Sequence, residues 1–128
     1  MRLLLDTVTL LWISLQDPRL SRRAQEWFAD PASEVFLSVI SAWEIAIKHS
    51  LGRLPLPEPP AEFIPARRRA YRLAALPLDE EAALYVARLP KLHADPFDRL
   101  LVCQAIVHGL ATLSPDPLIS QYSVRVLW

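Results

Sequence analysis

Arg2-Leu3-Leu4-Leu5-Asp6 runs through three consecutive leucines and closes on a carboxylate. An unbroken apolar run suits a strand covered on both faces, as in a parallel sheet, rather than the alternating pattern of a half-exposed strand. A charge ending such a strand is expensive to desolvate unless it is paired or binds a cation. The arrangement recurs downstream. Glu34-Val35-Phe36-Leu37-Ser38 reads as a second strand, and a helix opening at Ser41 and running through Lys48 carries Glu44 on its first turn. Leu110 to Ser114 reads as a strand with Asp116 just beyond it. Asp95 and Asp98 flank Pro96-Phe97 at the start of a helix running from Pro96 to His108, with Gly109 as its stop.

Working outward, the spacing predicts a helix from Thr9 to Leu15 and a second one capped by Ser21 and reaching Phe28. Leu54 to Pro60 is a proline-rich stiff arm, followed by a helix from Ala61 to Arg72 that contains Pro65. Leu73–Leu76 is a weak strand, Asp79 caps a helix through Arg88, Leu89–Ala94 is a loop, Asp116-Pro117 starts a short helix, and Ser123–Leu127 is the last strand. Strands alternating with helices give an α/β, doubly wound architecture with a mainly parallel central sheet flanked by helices. Strand ends and helix starts then share one edge, where ligands bind in such sheets. Carboxylates crowded there repel one another unless a hard cation sits among them. The pattern points to a Mg²⁺- or Mn²⁺-dependent enzyme.

With 128 residues the chain reads as one domain, 1–128, large enough for a real core. The formal net charge is +0, so no global field draws in nucleic acid, and any such contact falls to local patches. Arg67-Arg68-Arg69 with Arg72 is the densest basic run and a weak candidate for an RNA backbone; a solvated helix face explains it equally well. Apolar residues make up 52% and the mean hydropathy is +0.20, a slight surplus that suggests surface buried against a partner or a second copy. Trp12, Trp27 and Trp43 read as core or interface residues, and Trp128 has no evident role. Cys103 is the single cysteine, which excludes an intrachain disulfide and reads as a buried, inert thiol. No stretch approaches the roughly 18 apolar residues of a membrane span, and Asp6 interrupts the leucine-rich start that would otherwise mimic a signal peptide. The chain reads as soluble and cytoplasmic.

Taken singly, most of the acids have plain structural roles. Asp95-Pro96 and Asp116-Pro117 are N-caps followed by proline, and Ser41-Ala42-Trp43-Glu44 matches a capping box. Asp6 resists that treatment, and so does Asp98, because Asp95 already supplies the cap. The joint pattern carries the inference.

Leu4-Leu5-Asp6-Thr7, Ser41-Ala42-Trp43-Glu44-Ile45-Ala46-Ile47-Lys48 and His93-Ala94-Asp95-Pro96-Phe97-Asp98-Arg99-Leu100-Leu101 resemble the PIN-domain ribonucleases, and among them the VapC-type toxins of bacterial toxin–antitoxin pairs. The resemblance extends over essentially the whole chain and implies a PIN-like fold holding Mg²⁺ or Mn²⁺ for RNA cleavage. Carried over by position, Asp6, Glu44, Asp98 and Asp116 correspond to the usual acidic set, Asp95 is an additional neighbour, and Ser114 falls where relatives carry a hydroxyl near the metal. It also implies an antitoxin partner lying across the acids; the apolar surplus adds the expectation of a homodimer. Val8 stands where relatives often have histidine, and Pro115 where arginine is common, which implies weaker RNA binding.

The expected chemistry is metal-assisted phosphodiester hydrolysis, with Asp6 and Asp98 as direct ligands and Glu44 and Asp116 acting through water. Arg99 could contact phosphate, although a structural pairing suits it better. His93 and His108 lack any serine, cysteine or second histidine spaced for a triad. Two rivals stand beside this reading. A Mg²⁺-binding receiver-like signalling domain would need an aspartate ending its third strand and a lysine ending its fifth, yet Leu76 is followed by Pro77 and only Lys91 lies past Leu89. A catalytically silent PIN binding module is opposed by the intact acids.

Overall fold

The computed structural model describes residues 1–128. Five strands form the sheet: β1 (Arg2–Leu5), β2 (Glu34–Ser38), β3 (Ala74–Leu76), β4 (Ala111–Leu113) and β5 (Val126–Leu127). Six α-helices connect them: α1 (Thr7–Ser14), α2 (Arg22–Ala29), α3 (Val39–Ser50), α4 (Pro60–Tyr71), α5 (Glu80–Tyr85) and α6 (Pro96–His108). The strand order is β3-β2-β1-β4-β5, and every pairing is parallel. The expected α/β sheet is therefore present, and it is wholly parallel.

The leucine run explains why β1 is central. Leu3 and Leu5 face one side and pack with Leu10, Ile45 and Phe63, while Leu4 faces the other and packs with Leu101 and Ala105 of α6. All three leucines are fully buried, as a strand covered on both faces requires. The chain leaves β1 toward β2 and β3, then returns to β4 on β1's opposite side. A crevice opens at such a reversal, beyond the carboxyl ends of the strands. Asp6 follows β1 and Ser114 follows β4, so both stand at that reversal. Cys103 is buried in a third cluster with Val102, Ile119 and Tyr122, and desolvation pushes its thiol up, as expected for an inert cysteine.

Several local expectations need correction. Helix α3 begins at Val39, because the hydroxyl of Ser38 accepts from the Ile40 amide and caps it. Ser41-Ala42-Trp43-Glu44 is therefore no capping box, and Glu44 lies in the second turn with its side chain buried. Asp79 makes no side-chain cap and instead pairs at 2.9 Å with His108 Nε2, and α5 ends at Tyr85 rather than Arg88. Beyond Asp116 the chain forms only a 3₁₀ turn, Ile119–Gln121, and β5 is shorter than expected. Trp128, which had no evident role, meets Trp12 edge-on at 5.8 Å. Trp43 is 54% exposed and leans on Phe97, so it is not a core residue.

Candidate metal centre

Five carboxylates from four separate stretches of chain line one cleft of about 370 Å³: Asp6, Glu44, Asp95, Asp98 and Asp116. Each is delivered by a distinct local device. Asp6 follows the last residue of β1 and caps α1, accepting weakly from the Val8 amide. Asp95 caps α6 by accepting from the Phe97 and Asp98 amides, and Pro96 fills the first helical position, which has no amide to satisfy. Asp98 then stands one turn in. Asp116 accepts from the Leu118 amide, while its own amide donates to Ser114 Oγ. Glu44 comes from α3, across the cleft.

The cleft is electrostatically strained. Burial pushes the Asp6 carboxyl up to about 6, against the pull of the Ser114 hydrogen bond, with the Asp116 and Glu44 charges adding to the rise. Asp98 is pushed to about 7, first by burial and then by Asp95, Asp6, Glu44 and Asp116 together. Lys48 and Arg53 are the only cationic side chains lining the cleft. Burial alone would lower the Lys48 ammonium, but its hydrogen bond and ion pair with Glu44 hold it above the ordinary lysine range.

Glu44 is fixed from two sides. The Thr7 hydroxyl lies 2.8 Å from both the Glu44 carboxylate and the Ser41 hydroxyl. A carboxylate only accepts, so Thr7 donates to Glu44 and accepts from Ser41. Across the cleft, Ser114 donates to Asp6 at 2.5 Å.

A hard divalent cation suits this donor set, which is all oxygen, negatively charged and destabilised by its own repulsion. As the side chains stand, no three of them lie close enough together to hold one ion directly. The open cleft leaves room for water between carboxylate and ion, the way Mg²⁺ is commonly held. On this chemistry the residues fit the ion, with waters completing its shell.

The expected acids are thus brought together. The arginines are not. Arg68 donates to the Leu37 and Ala74 carbonyls, and Arg67 pairs with Glu58 and lies over the Phe63 ring. Arg99 is buried and donates to the Leu89 and Pro90 carbonyls and to Tyr122 Oη, so it contacts no phosphate site. Arg69 and Arg72 are exposed and open to a ligand. Sequence reasoning missed Thr7, Lys48, Arg53 and His93. The four-residue spacing of Glu44 and Lys48 was a readable signal for one pair. His93, set aside as a catalytic candidate, lies 3.3 Å from Asp98 through Nε2.

A PIN domain family model matches residues 3–124. A 50-residue stretch is 46% identical to Ribonuclease VapC16 of Mycobacterium tuberculosis; the match covers 39% of this chain and about a third (36%) of that protein's length. The fold superposes on a chain of VapBC2 from Rickettsia felis bound to a DNA fragment from its promoter, with a TM-score of 0.75 and 14% identity, covering 100% of this chain and 99% of the other. A chain of DNA-bound VapBC from Salmonella typhimurium gives 0.71 at 16% identity, covering 99% and 97%. At these identities the structural likeness speaks for the fold.

Proposed function

The chain belongs to the PIN-domain family, and from that premise we propose that it is a divalent-metal-dependent endoribonuclease serving as the toxin of a toxin–antitoxin pair. One observation carries the reading: five carboxylates meet where β1 and β4 end, and burial and mutual repulsion push two of them, Asp6 and Asp98, up to about 6 and about 7. A fold does not maintain such a cluster for stability, because each added charge weakens it. The names of the relatives support the same direction: one is a ribonuclease, and the structural neighbours are VapBC assemblies.

Asp6 and Asp98 would hold Mg²⁺ or Mn²⁺ directly, with Asp95 and Asp116 reaching it through water. The ion supplies charge that polarises the scissile phosphate and lowers the pKa of an attacking water. Ser114 keeps the Asp6 carboxylate in one orientation, and Thr7 does the same for Glu44. Glu44, so fixed, orients water at the edge of the site. Lys48 offsets the Glu44 charge, and Arg53 offers an exposed guanidinium on the cleft wall for the RNA backbone.

Trp43, Leu51 and Leu84 are the most exposed of the large apolar side chains, and an antitoxin and a second copy of the chain would cover such surface. No helix is long and apolar enough to cross a membrane. The test is paired. Purified protein should release RNA fragments with Mg²⁺ or Mn²⁺ and stop on addition of EDTA. Its expression should arrest a bacterial host, with rescue by the adjacent small gene. Cleavage that persists in EDTA would rule out the metal mechanism, and harmless expression of an active nuclease would remove the toxin role alone.

A further inference from the structure

Three side chains behind Asp98 form a directed hydrogen-bond chain that the acid set does not include. Arg99 Nη1 lies 3.2 Å from Tyr122 Oη, which lies 2.6 Å from His93 Nδ1, and His93 Nε2 lies 3.3 Å from Asp98 Oδ2. A guanidinium only donates, so the Tyr122 oxygen accepts from Arg99. Its own O–H is then free to donate to His93 Nδ1, leaving the ring proton on Nε2 facing the carboxylate. Arg99 is itself pinned by the Leu89 and Pro90 carbonyls, and the His93 side chain is only 8% exposed, so the chain is anchored at its far end.

We propose that His93 is a positioning residue, locked as the Nε2–H tautomer by Tyr122, that holds Asp98 Oδ2 and leaves Oδ1 for the divalent ion. This rests on the metal reading of the cleft. Partners that orient a liganding group are worth about 10- to 100-fold in metal affinity. Without the His93 donor, the Asp98 carboxylate rotates among several orientations and the ion loses a preformed ligand. The arrangement also ties the segment before β5, through Tyr122, to the first turn of α6.

Two substitutions separate the halves of the ring. In His93→Gln the amide nitrogen takes the place of Nε2–H and still reaches Asp98. In His93→Asn the shorter amide takes the place of Nδ1 and keeps only the Tyr122 side. Mn²⁺ titration, read by the loss of free-ion electron paramagnetic resonance signal, should show His93→Asn weakened about tenfold or more and His93→Gln within about threefold of wild type. Near-ultraviolet circular dichroism confirms that both are folded. Equal weakening in both, or none in either, would overturn the assignment. A second measurement needs no metal: long-range ¹H–¹⁵N correlation on the metal-free protein at about pH 8 should show the proton on His93 Nε2. A proton on Nδ1 would overturn the lock whatever the metal does. Wild-type protein that binds no Mn²⁺ yet shows the Nε2–H tautomer would defeat the metal reading, and with it the positioning role.

Discussion

Ser114 donates its hydroxyl to Asp6 at 2.5 Å, tying the end of β4 to the end of β1 at the point where the strand order reverses. Both residues are almost fully buried, so the bond is made away from competing water. It opposes the desolvation that drives the Asp6 carboxyl upward, and it holds Oδ2 while the Val8 amide holds Oδ1.

Replacing Ser114 with alanine removes that donor and leaves Asp6 only the long contact to the Val8 amide. Losing a hydrogen bond to a buried charged group costs about 1.5–3 kcal/mol. The expected result is a fall in melting temperature and roughly tenfold weaker Mn²⁺ binding. Wild-type affinity in calorimetric titration would show that Ser114 does not orient Asp6.

The pH dependence has a definite sign. The folded-state pKa of Asp6 lies near 6, above the ordinary 3.8, so the unfolded chain gives up this proton first. The stability this group contributes is present in full below about pH 4 and is lost as pH rises through 6, a change of order 2–3 kcal/mol. Asp98 acts in the same direction up to about 7. Asp6→Asn does not titrate, so in the metal-free state the variant should gain on wild type between pH 4 and 8. Guanidinium melts of both proteins across that range measure the difference. A constant gap would show that Asp6 titrates normally.

Thr7→Val keeps the shape of the side chain and removes the hydroxyl that bridges Glu44 and Ser41. Two buried polar groups lose a partner, for an expected loss of about 1–3 kcal/mol. Activity should fall more than stability explains, because Glu44 is then held only by Lys48. Undiminished cleavage by folded Thr7→Val would release Glu44 from its role.

Much of this was legible from residue order. The leucines of β1 announced a strand buried on both faces, and the acids after each strand announced the cleft. Asp95-Pro96 and Gly109 marked the ends of α6 because cap and stop chemistry is local. The start of α3 was misplaced because Ser38 and Ser41 are both good caps. The choice fell to Ser38, whose hydroxyl also bonds Gln104, 66 positions away. The links of His93 to Asp98 and of Thr7 to Glu44 also join residues set by tertiary packing, and Trp128 gained its role only by meeting Trp12. No spacing rule reaches those.

The basic run separates in the same way. Arg68→Ala strips donors from the Leu37 and Ala74 carbonyls and should destabilise the fold by about 1–3 kcal/mol. Arg69→Ala, on the exposed face, should stay within about 0.5 kcal/mol of wild type. Denaturant melts check the pair. Equal stability in the two variants would mean that Arg68 does not tie β2 to β3.

The central claim is that Asp6 and Asp98 bind a divalent ion that RNA cleavage requires. The direct measurement is Mn²⁺ affinity and RNA cleavage on the same samples of wild type, Asp6→Asn and Asp98→Asn, each confirmed folded. The amide keeps the side-chain shape and removes the charge that attracts the ion. Wild type should bind Mn²⁺ saturably and cleave RNA in an EDTA-sensitive manner, with binding weakened at least about tenfold and cleavage lost in both variants. Wild-type cleavage rates in either variant with Mg²⁺ present would contradict the claim.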